Sequence, residues 1–268
     1  MLVRSRMDKR KISACIITLN EEDNIREACE SVSWADEIVV VDSGSTDRTL
    51  EIARECGARV LENPWPGFAA QKQFAAGQAV HEWIFSLDAD ERVSEELRAS
   101  IASLLSKPDS EADGYLIPRR AFYMGRWICG GGWYPDRQLR LYRKTMGRWE
   151  GSHIHESVRM DPTACIGMLE GDLLHYTIRN AAEHHRMIGE RYAPLGARKM
   201  LAQGRRTSPL KIATIGPATF IRNYILKGGF RDGLAGLSIA TFAAHHAFLK
   251  HLQLWELQNS ETSHNSTE

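Results

Sequence analysis

Residues 37–49 read EIVVVDSGSTDRT, an apolar run closed by an aspartate and followed by a turn of small polar residues. A short run of this kind, apolar in both side-chain directions and stopped by turn chemistry, is the pattern of a strand buried on both faces of a parallel sheet. Ser45 or Thr46 is placed to cap a following helix carrying Leu50, Ile52 and Ala53, and Gly57 suits its left-handed end. The same unit recurs on either side. Upstream, Ile12–Thr18 is a buried strand followed by Asn20, a capping residue with Asp23 three positions on. Downstream come a strand at Arg59–Glu62, a helix from Phe68 to Ala79, a strand at Glu82–Asp88 (EWIFSLD) and a helix from about Ser94 to Ser106. Strands alternating with helices at this pitch predict a mostly parallel, Rossmann-like α/β sheet with right-handed crossovers.

The pattern changes after Tyr115. Strand-like pieces at Gly114–Pro118, Gln138–Arg143 and His153–Val158 are separated by glycine and aromatic clusters. From Ala181 the periodicity is helical, over 181–201, 210–226 and 233–257. The expected organisation is a basic tail over 1–11, an α/β domain over 12–178, a helical extension over 179–257 and a polar, disordered tail over 258–268.

Composition bounds what this chain does. Its 268 residues are 43% hydrophobic and 25% charged, enough for a large core and neither disordered nor membrane-buried. Lys plus Arg and Asp plus Glu are 34 each, so the formal net charge is zero and bulk charge argues against a nucleic-acid partner. Five cysteines with no CxxC suggest neither a disulfide framework nor a zinc knuckle, and a reducing compartment is the simplest setting. The amino terminus lacks the apolar stretch of a secretory signal, and the longest uncharged stretch, 233–249, is shorter than the ~20 residues of a membrane span. Charge is nonetheless uneven. Residues 21–56 hold eleven acids and three bases, 119–148 eight bases and one acid, and 178–227 ten bases and two acids. The basic second half suggests an anionic partner, a phosphorylated acceptor or an anionic membrane face. Apolar positions Leu234, Leu237, Ile239, Phe242, Phe248, Leu249, Leu252 and Trp255 belong either to ordinary packing or to such a membrane contact.

Ligands of an open parallel sheet collect at the carboxyl ends of its strands. Three polar clusters fall there: Thr18-Leu19-Asn20-Glu21, Asp42-Ser43-Gly44-Ser45 and Asp88-Ala89-Asp90-Glu91. GxGxxG after the first strand and Walker A are both absent, which excludes dinucleotide and P-loop sites. Two carboxylates one residue apart beyond a buried strand suit a divalent cation and a ribose hydroxyl, and Mg²⁺ or Mn²⁺ takes carboxylate, water and phosphate oxygens.

The segments ITLNEEDNI (17–25), VVDSGSTDRT (40–49), GFAAQKQFA (67–75) and SLDADERVS (86–94) together resemble glycosyltransferase family 2, the inverting GT-A enzymes that use nucleotide sugars. GGWYPDRQLRLYR (131–143), IHESV (154–158), LLHYT (173–177) and KGGFRDG (227–233) resemble more narrowly the bacterial glucosyltransferases of the lipopolysaccharide inner core. The resemblance implies a GT-A α/β fold with a helical carboxyl-terminal extension, UDP-glucose as donor, a divalent cation, and a membrane-associated, heptose-containing acceptor at the cytoplasmic face. It implies that Thr18, Asn20 and Glu21 form the donor-binding loop. Asp42 accepts from the uracil ring, Asp88 holds the ribose, and Asp90 holds the metal. Lys72 either adds positive charge near the donor or is a solvated helix lysine. Arg140, with Arg137 and Arg143, offers guanidinium to phosphate.

The family's usual Glu-Asp pair beyond the DxD has no obvious copy, so two acids compete as base: Asp136, the lone acid of 119–148 and the first choice, and Glu156. His153 and His155 share a strand face, and His155 is the stronger candidate for a late metal ligand; His175 and the pairs 184–185 and 245–246 read as structural. Gly130-Gly131-Gly132-Trp133-Tyr134 fits either a sugar-binding loop or a tight turn over a tryptophan core. Alternatives for the whole chain are transfer to a polyprenyl phosphate or protein side chain, and a non-catalytic nucleotide-sugar-binding scaffold.

Overall fold

A computed structural model of the chain describes residues 10–107, 112–151, 156–178 and 180–264, with side chains described as far as residue 260. The chain divides into two compact units, one of residues up to Arg119 together with Asp136–His175, the other of Arg120–Pro135 together with the chain from Tyr176.

The first unit is the alternating α/β body. Strands β1 (Ile12–Thr18), β2 (Glu37–Asp42), β3 (Arg59–Glu62) and β4 (Trp83–Asp88) are parallel. Helices α1 (Ile25–Ser31), α2 (Thr49–Glu55) and α3 (Phe68–Gln78) link them, and β5 (Glu91–Val93) and α4 (Glu95–Ser106) follow. The sheet order β3-β2-β1-β4 continues through β8 (Asp136–Arg143) and β6 (Gly114–Tyr123) to β12 (Leu173–His175) and β5. The added strands run antiparallel: β8 pairs with β4 and β6, and β12 with β5. A separate ribbon joins β9 (Gly147–Glu150) to β10 (Ser157–Met160). This is the GT-A arrangement anticipated from the sequence, with an antiparallel half that short strands separated by glycine clusters do not disclose.

Period-two alternation explains the double-sided core. Every residue of β1 is buried. Ile12, Ala14 and Ile16 face one layer with Phe85, Leu97 and Ile101, while Cys15 and Ile17 face the other with Val41, Ala75 and Trp149. Two capping assignments are corrected. Asn20 does not cap α1, which starts at Ile25; Asn20 adopts φ 53° and its Oδ1 accepts from Thr46 N at 2.8 Å. Neither Ser45 nor Thr46 caps α2, which begins at Thr49, where Asp47 Oδ1 accepts from Thr49 N. The two loops are pinned to each other as well as to their own helices. The five cysteines are free thiols.

The second unit is helical. A helix from Ala181 is α5 (Ala181–Arg186), widens into a π-turn at Met187–Tyr192 and continues as α6 (Ala193–Ala202). Then α7 (Pro209–Ile221) passes into a second π-turn, Arg222–Leu226, and α8 runs from Gly233 to His264, beyond the Leu257 end read from sequence. The segment 120–135, expected in the α/β domain, packs in this unit. A Cβ on Gly130 would lie 2.6 Å from Gly228 O, and Asp232, buried, accepts from Gly130 N at 2.8 Å and from Cys129 N. Trp133 rests against Tyr123 and His184. The glycine-aromatic loop and KGGFRDG are therefore a backbone-to-backbone packing contact, which is why glycine is needed there.

Candidate active site

Sheet register brings the three polar clusters to one rim. Thr18 pairs with Asp42 and Ile17 with Asp88, so the turns after β1, β2 and β4 leave the sheet side by side. The first two form a fixed cage. Asn20 N donates to Ser45 Oγ at 2.8 Å, Glu21 N donates to Thr49 Oγ1 at 2.8 Å, and Glu21 accepts from Asn24 Nδ2. Asp42 is fully buried. Its Oδ2 accepts from Gly44 N and Ser45 N at 2.7 Å each, and its Oδ1 from the Ser45 hydroxyl. The hydroxyl of Thr18 is buried without a partner among the described residues.

The third cluster sits in a network of buried ions. Lys72 is only 2% exposed, so the solvated-lysine reading is excluded. Its ammonium lies 2.9 Å from Asp88 Oδ1 and 3.2 Å from Glu156 Oε1, with the Trp149 ring 4.8 Å away. The small residues beside it on α3, Ala75 and Ala76, seat that helix against the sheet and bring the ammonium to the end of β4. Arg140, on β8, points inward as Arg137 points to solvent. Its Nη2 donates to Asp88 Oδ2 at 3.0 Å and Glu91 Oε1 at 2.8 Å, while Nε and Nη1 are buried without partners among the described residues. Burial pushes the Asp88 carboxyl up, but Lys72 and Arg140 outweigh it and hold the group well below the usual carboxylate range.

Glu91, absent from the sequence-based assignment, is the anchor of this network. It is fully buried, accepts from Asp88 N at 2.9 Å, and pairs with Arg140 and, at 3.4 Å, with Arg119. Arg119 in turn donates through Nη2 (2.6 Å) and Nε (2.9 Å) to Asp136 Oδ2, and Gln138 donates to Asp136 Oδ1 at 2.7 Å. Both oxygens of Asp136 are thus occupied. Among the described residues, Glu156 accepts from Lys72 at Oε1 and no partner is seen at its other oxygen.

Asp90 Oδ2 lies 3.2 Å from His175 Nε2, across the antiparallel pairing of β5 with β12. His175, read from sequence as structural, is the histidine found beside Asp90 among the described residues; His153 and His155 lie outside them. Two adjacent ligands of an octahedral ion with bonds of about 2.1 Å sit about 3 Å apart, so the pair fits a divalent cation. Charge points the same way: three cations (Lys72, Arg119, Arg140) stand against five carboxylates (Asp88, Asp90, Glu91, Asp136, Glu156). An anionic diphosphate needs that surplus neutralised. Among the described residues no group of three or more His, Cys, Asp or Glu is placed to hold a metal ion by itself.

Residues 13–159, more than half of the chain, match the model of Glycosyl transferase family 2. The chain belongs to that family. It is a glycosyltransferase with a GT-A fold, as the segments from Ile17 to Ser94 lead one to expect. It is 35% identical over 256 residues to the lipopolysaccharide core biosynthesis glycosyltransferase LpsC of Rhizobium meliloti (strain 1021), covering 92% of this chain and 93% of that protein. An uncharacterized glycosyltransferase of Rickettsia typhi, RT0209, is 31% identical over 257 residues, 92% of this chain and 88% of that one. Among solved structures, glucosyl-3-phosphoglycerate synthase from Mycobacterium tuberculosis, in complex with Mn²⁺, UDP and glucosyl-3-phosphoglycerate, is 27% identical over 43% of this chain and 45% of that one, at a TM-score of 0.35.

Proposed function

We propose that this transferase moves glucose from UDP-glucose to a heptose of the lipopolysaccharide inner core, with inversion, using Mg²⁺ or Mn²⁺, at the cytoplasmic face of the membrane. The observation that carries the donor side is the Asp90–His175 pair set beside a carboxylate, Asp88, held by two buried cations. The acceptor side rests on similarity along nearly the whole chain to LpsC, a protein named for lipopolysaccharide core biosynthesis.

In this reading Thr18, Asn20 and Glu21 wall the donor loop, and Asp42 takes the uracil N–H as the Ser45 hydroxyl gives way. Asp88, fixed by Lys72 and Arg140, accepts from a ribose hydroxyl. Asp90 and His175 hold the cation, which when bound neutralises the departing diphosphate. Nε and Nη1 of Arg140 have no hydrogen-bond partner among the described residues, and phosphate oxygens would satisfy them.

Of the two candidate bases the geometry favours Glu156. Asp136 spends both oxygens on Arg119 and Gln138, whereas Glu156 is held at one oxygen by Lys72. Glu156 takes the proton of the acceptor hydroxyl, the new bond forms from that oxygen to C1 of glucose, and the bond from C1 to the diphosphate oxygen breaks with its electron pair leaving on UDP. Asp136 positions Arg119 against Glu91.

Transfer from radiolabelled UDP-glucose to purified heptose-terminated core tests the proposal, paired with mass spectrometry of the core from a deletion strain. One missing hexose on the inner-core heptose is the expected result. An unaltered core, or label transferred equally well from other nucleotide sugars, would overturn it.

A further inference from the structure

Helix α7 leaves large apolar side chains exposed at both of its ends. Its buried positions, which continue into the π-turn, are Gly216, Thr219 and Asn223, a glycine and two polar side chains. Its outward side carries large apolar residues at both ends: Leu210 is 74% exposed, Ile221 is exposed three turns on, and Ile225 and Leu226 follow on the π-turn, with Lys211, Ala213, Thr214, Pro217 and Ala218 exposed between. Phe230 and Leu234 (70% exposed) continue the series through the 3₁₀ turn, Gly229–Asp232, into α8. Isolated apolar side chains on a surface need no explanation, but five large ones within fourteen residues, Ile221 to Leu234, do.

The accompanying charge is of one sign. From Arg191 to Trp255 there are ten lysines and arginines and a single acid, Asp232. That acid is 1% exposed and spent on the N–H groups of Cys129 and Gly130, so it presents no charge outward. Lys211, Arg222, Lys227 and Arg231 are all exposed. A second copy of the same face, brought up about a two-fold axis, would set cations against cations. The amino-terminal residues 1–9, with Arg4, Arg6 and Lys9, are basic as well and no better complement. Among the described residues no helix is long and apolar enough to cross a membrane.

We propose that the outward face of α7, its π-turn and the start of α8 is a docking surface for an anionic phospholipid bilayer. Leu210, Ile221, Ile225, Leu226, Phe230 and Leu234 enter the interface while the four cations contact lipid phosphates. Apolar burial supplies hold and the cations supply preference for anionic lipid. This centres the membrane contact before and at the start of the long last helix; farther along it Ile239 is buried, while Leu237, Phe248 and Trp255 are exposed but less so than Leu234.

Cosedimentation of the full chain with vesicles, without any sugar donor, tests the surface independently of the transfer reaction. One set is phosphatidylcholine alone and the other equimolar phosphatidylcholine and phosphatidylglycerol. Binding is expected to be at least about tenfold tighter to the anionic set and to weaken with salt. Arg222→Gln with Lys227→Gln and Arg231→Gln should weaken it about fivefold per cation removed. Leu226→Asp with Leu234→Asp, at exposed positions, should abolish it while leaving the thermal melt unchanged. Failure of the wild type to bind, equal binding to both sets, or undiminished binding by either variant would overturn the proposal. A dimer in light scattering that Leu226→Asp with Leu234→Asp dissociates, in a protein indifferent to vesicles, would assign the face to a contact between copies instead.

Discussion

His175 Nε2 lies 3.2 Å from Asp90 Oδ2 although the two residues are 85 positions apart. The contact exists because β12 folds back antiparallel on β5, with His175 opposite Glu91, one residue beyond Asp90. In the proposed function this carboxylate and imidazole would supply two ligands to a divalent cation, its other positions being left to the substrate.

Replacing either ligand should therefore act through the metal requirement. Loss of an outer-sphere partner alone costs about 10–100-fold in metal affinity. His175→Ala should raise the Mn²⁺ concentration for half-maximal turnover by at least about tenfold, and Asp90→Asn should abolish metal-dependent transfer. Manganese titrations of turnover, checked by the electron paramagnetic resonance of free Mn²⁺, read this directly. An unchanged titration for His175→Ala would remove it from the site.

The base assignment separates by kinetics. Glu156→Gln should lower kcat by about 10²–10⁴-fold while leaving UDP affinity within a few-fold of wild type. Asp136→Asn should cost less in kcat and more in stability, because it frees Arg119 from its partner. The reverse ranking would return the role to Asp136.

Glu91 is expected to be a folding determinant. It is fully buried and is the shared partner of Arg140 and Arg119. Breaking a buried ion pair from one side leaves uncompensated charge and costs about 3–5 kcal/mol. Urea denaturation of Glu91→Gln should show a loss of that order. A shift under about 1 kcal/mol would mean that water reaches these guanidinium groups.

A histidine in the helical unit sets an acid limit. His184 is 7% exposed, bonded to Tyr123 Oη at 3.0 Å, with its ring 4.2 Å from that of Phe242 at a 35° tilt. Burial pushes its pKa down from 6.5 to about 4. The folded value is the lower one, so its neutral form costs nothing above about pH 6.5, and stability falls as pH drops from there towards 4. The loss over that window should reach about 3 kcal/mol. His184→Gln should flatten the dependence in urea titrations run across the window; an identical slope would place the acid sensitivity elsewhere.

How far the sequence reaches can be seen residue by residue. The strand ends carrying Thr18, Asp42 and Asp88 were legible because a strand buried on both faces is a local apolar run, and in a parallel sheet the turn at its carboxyl end stands on the ligand-binding rim. Family membership was legible for the same reason, since its motifs are contiguous turns. Lys72 was ambiguous: a lysine on a helix of weak amphipathicity reads as solvated or buried alike until the sheet beneath it is placed. Glu91 was legible only as one member of a polar turn and Arg119 only as the first of a basic run, because a buried ion is identified by its partner, and theirs lie largely in distant segments.

The sequence by itself determined the order of parallel strands and helices, the acidic turns at their ends and the membership in a transferase family, all of which are written in neighbouring residues. Only the tertiary structure decided that His175 meets Asp90, that Asp136 is committed to Arg119 while Glu156 is held at one oxygen, and that α7 leaves large apolar side chains exposed at its ends. Those outcomes depend on antiparallel pairings and helix packing between distant segments. The register of such contacts is set by the fit of the whole core, and no local pattern encodes it.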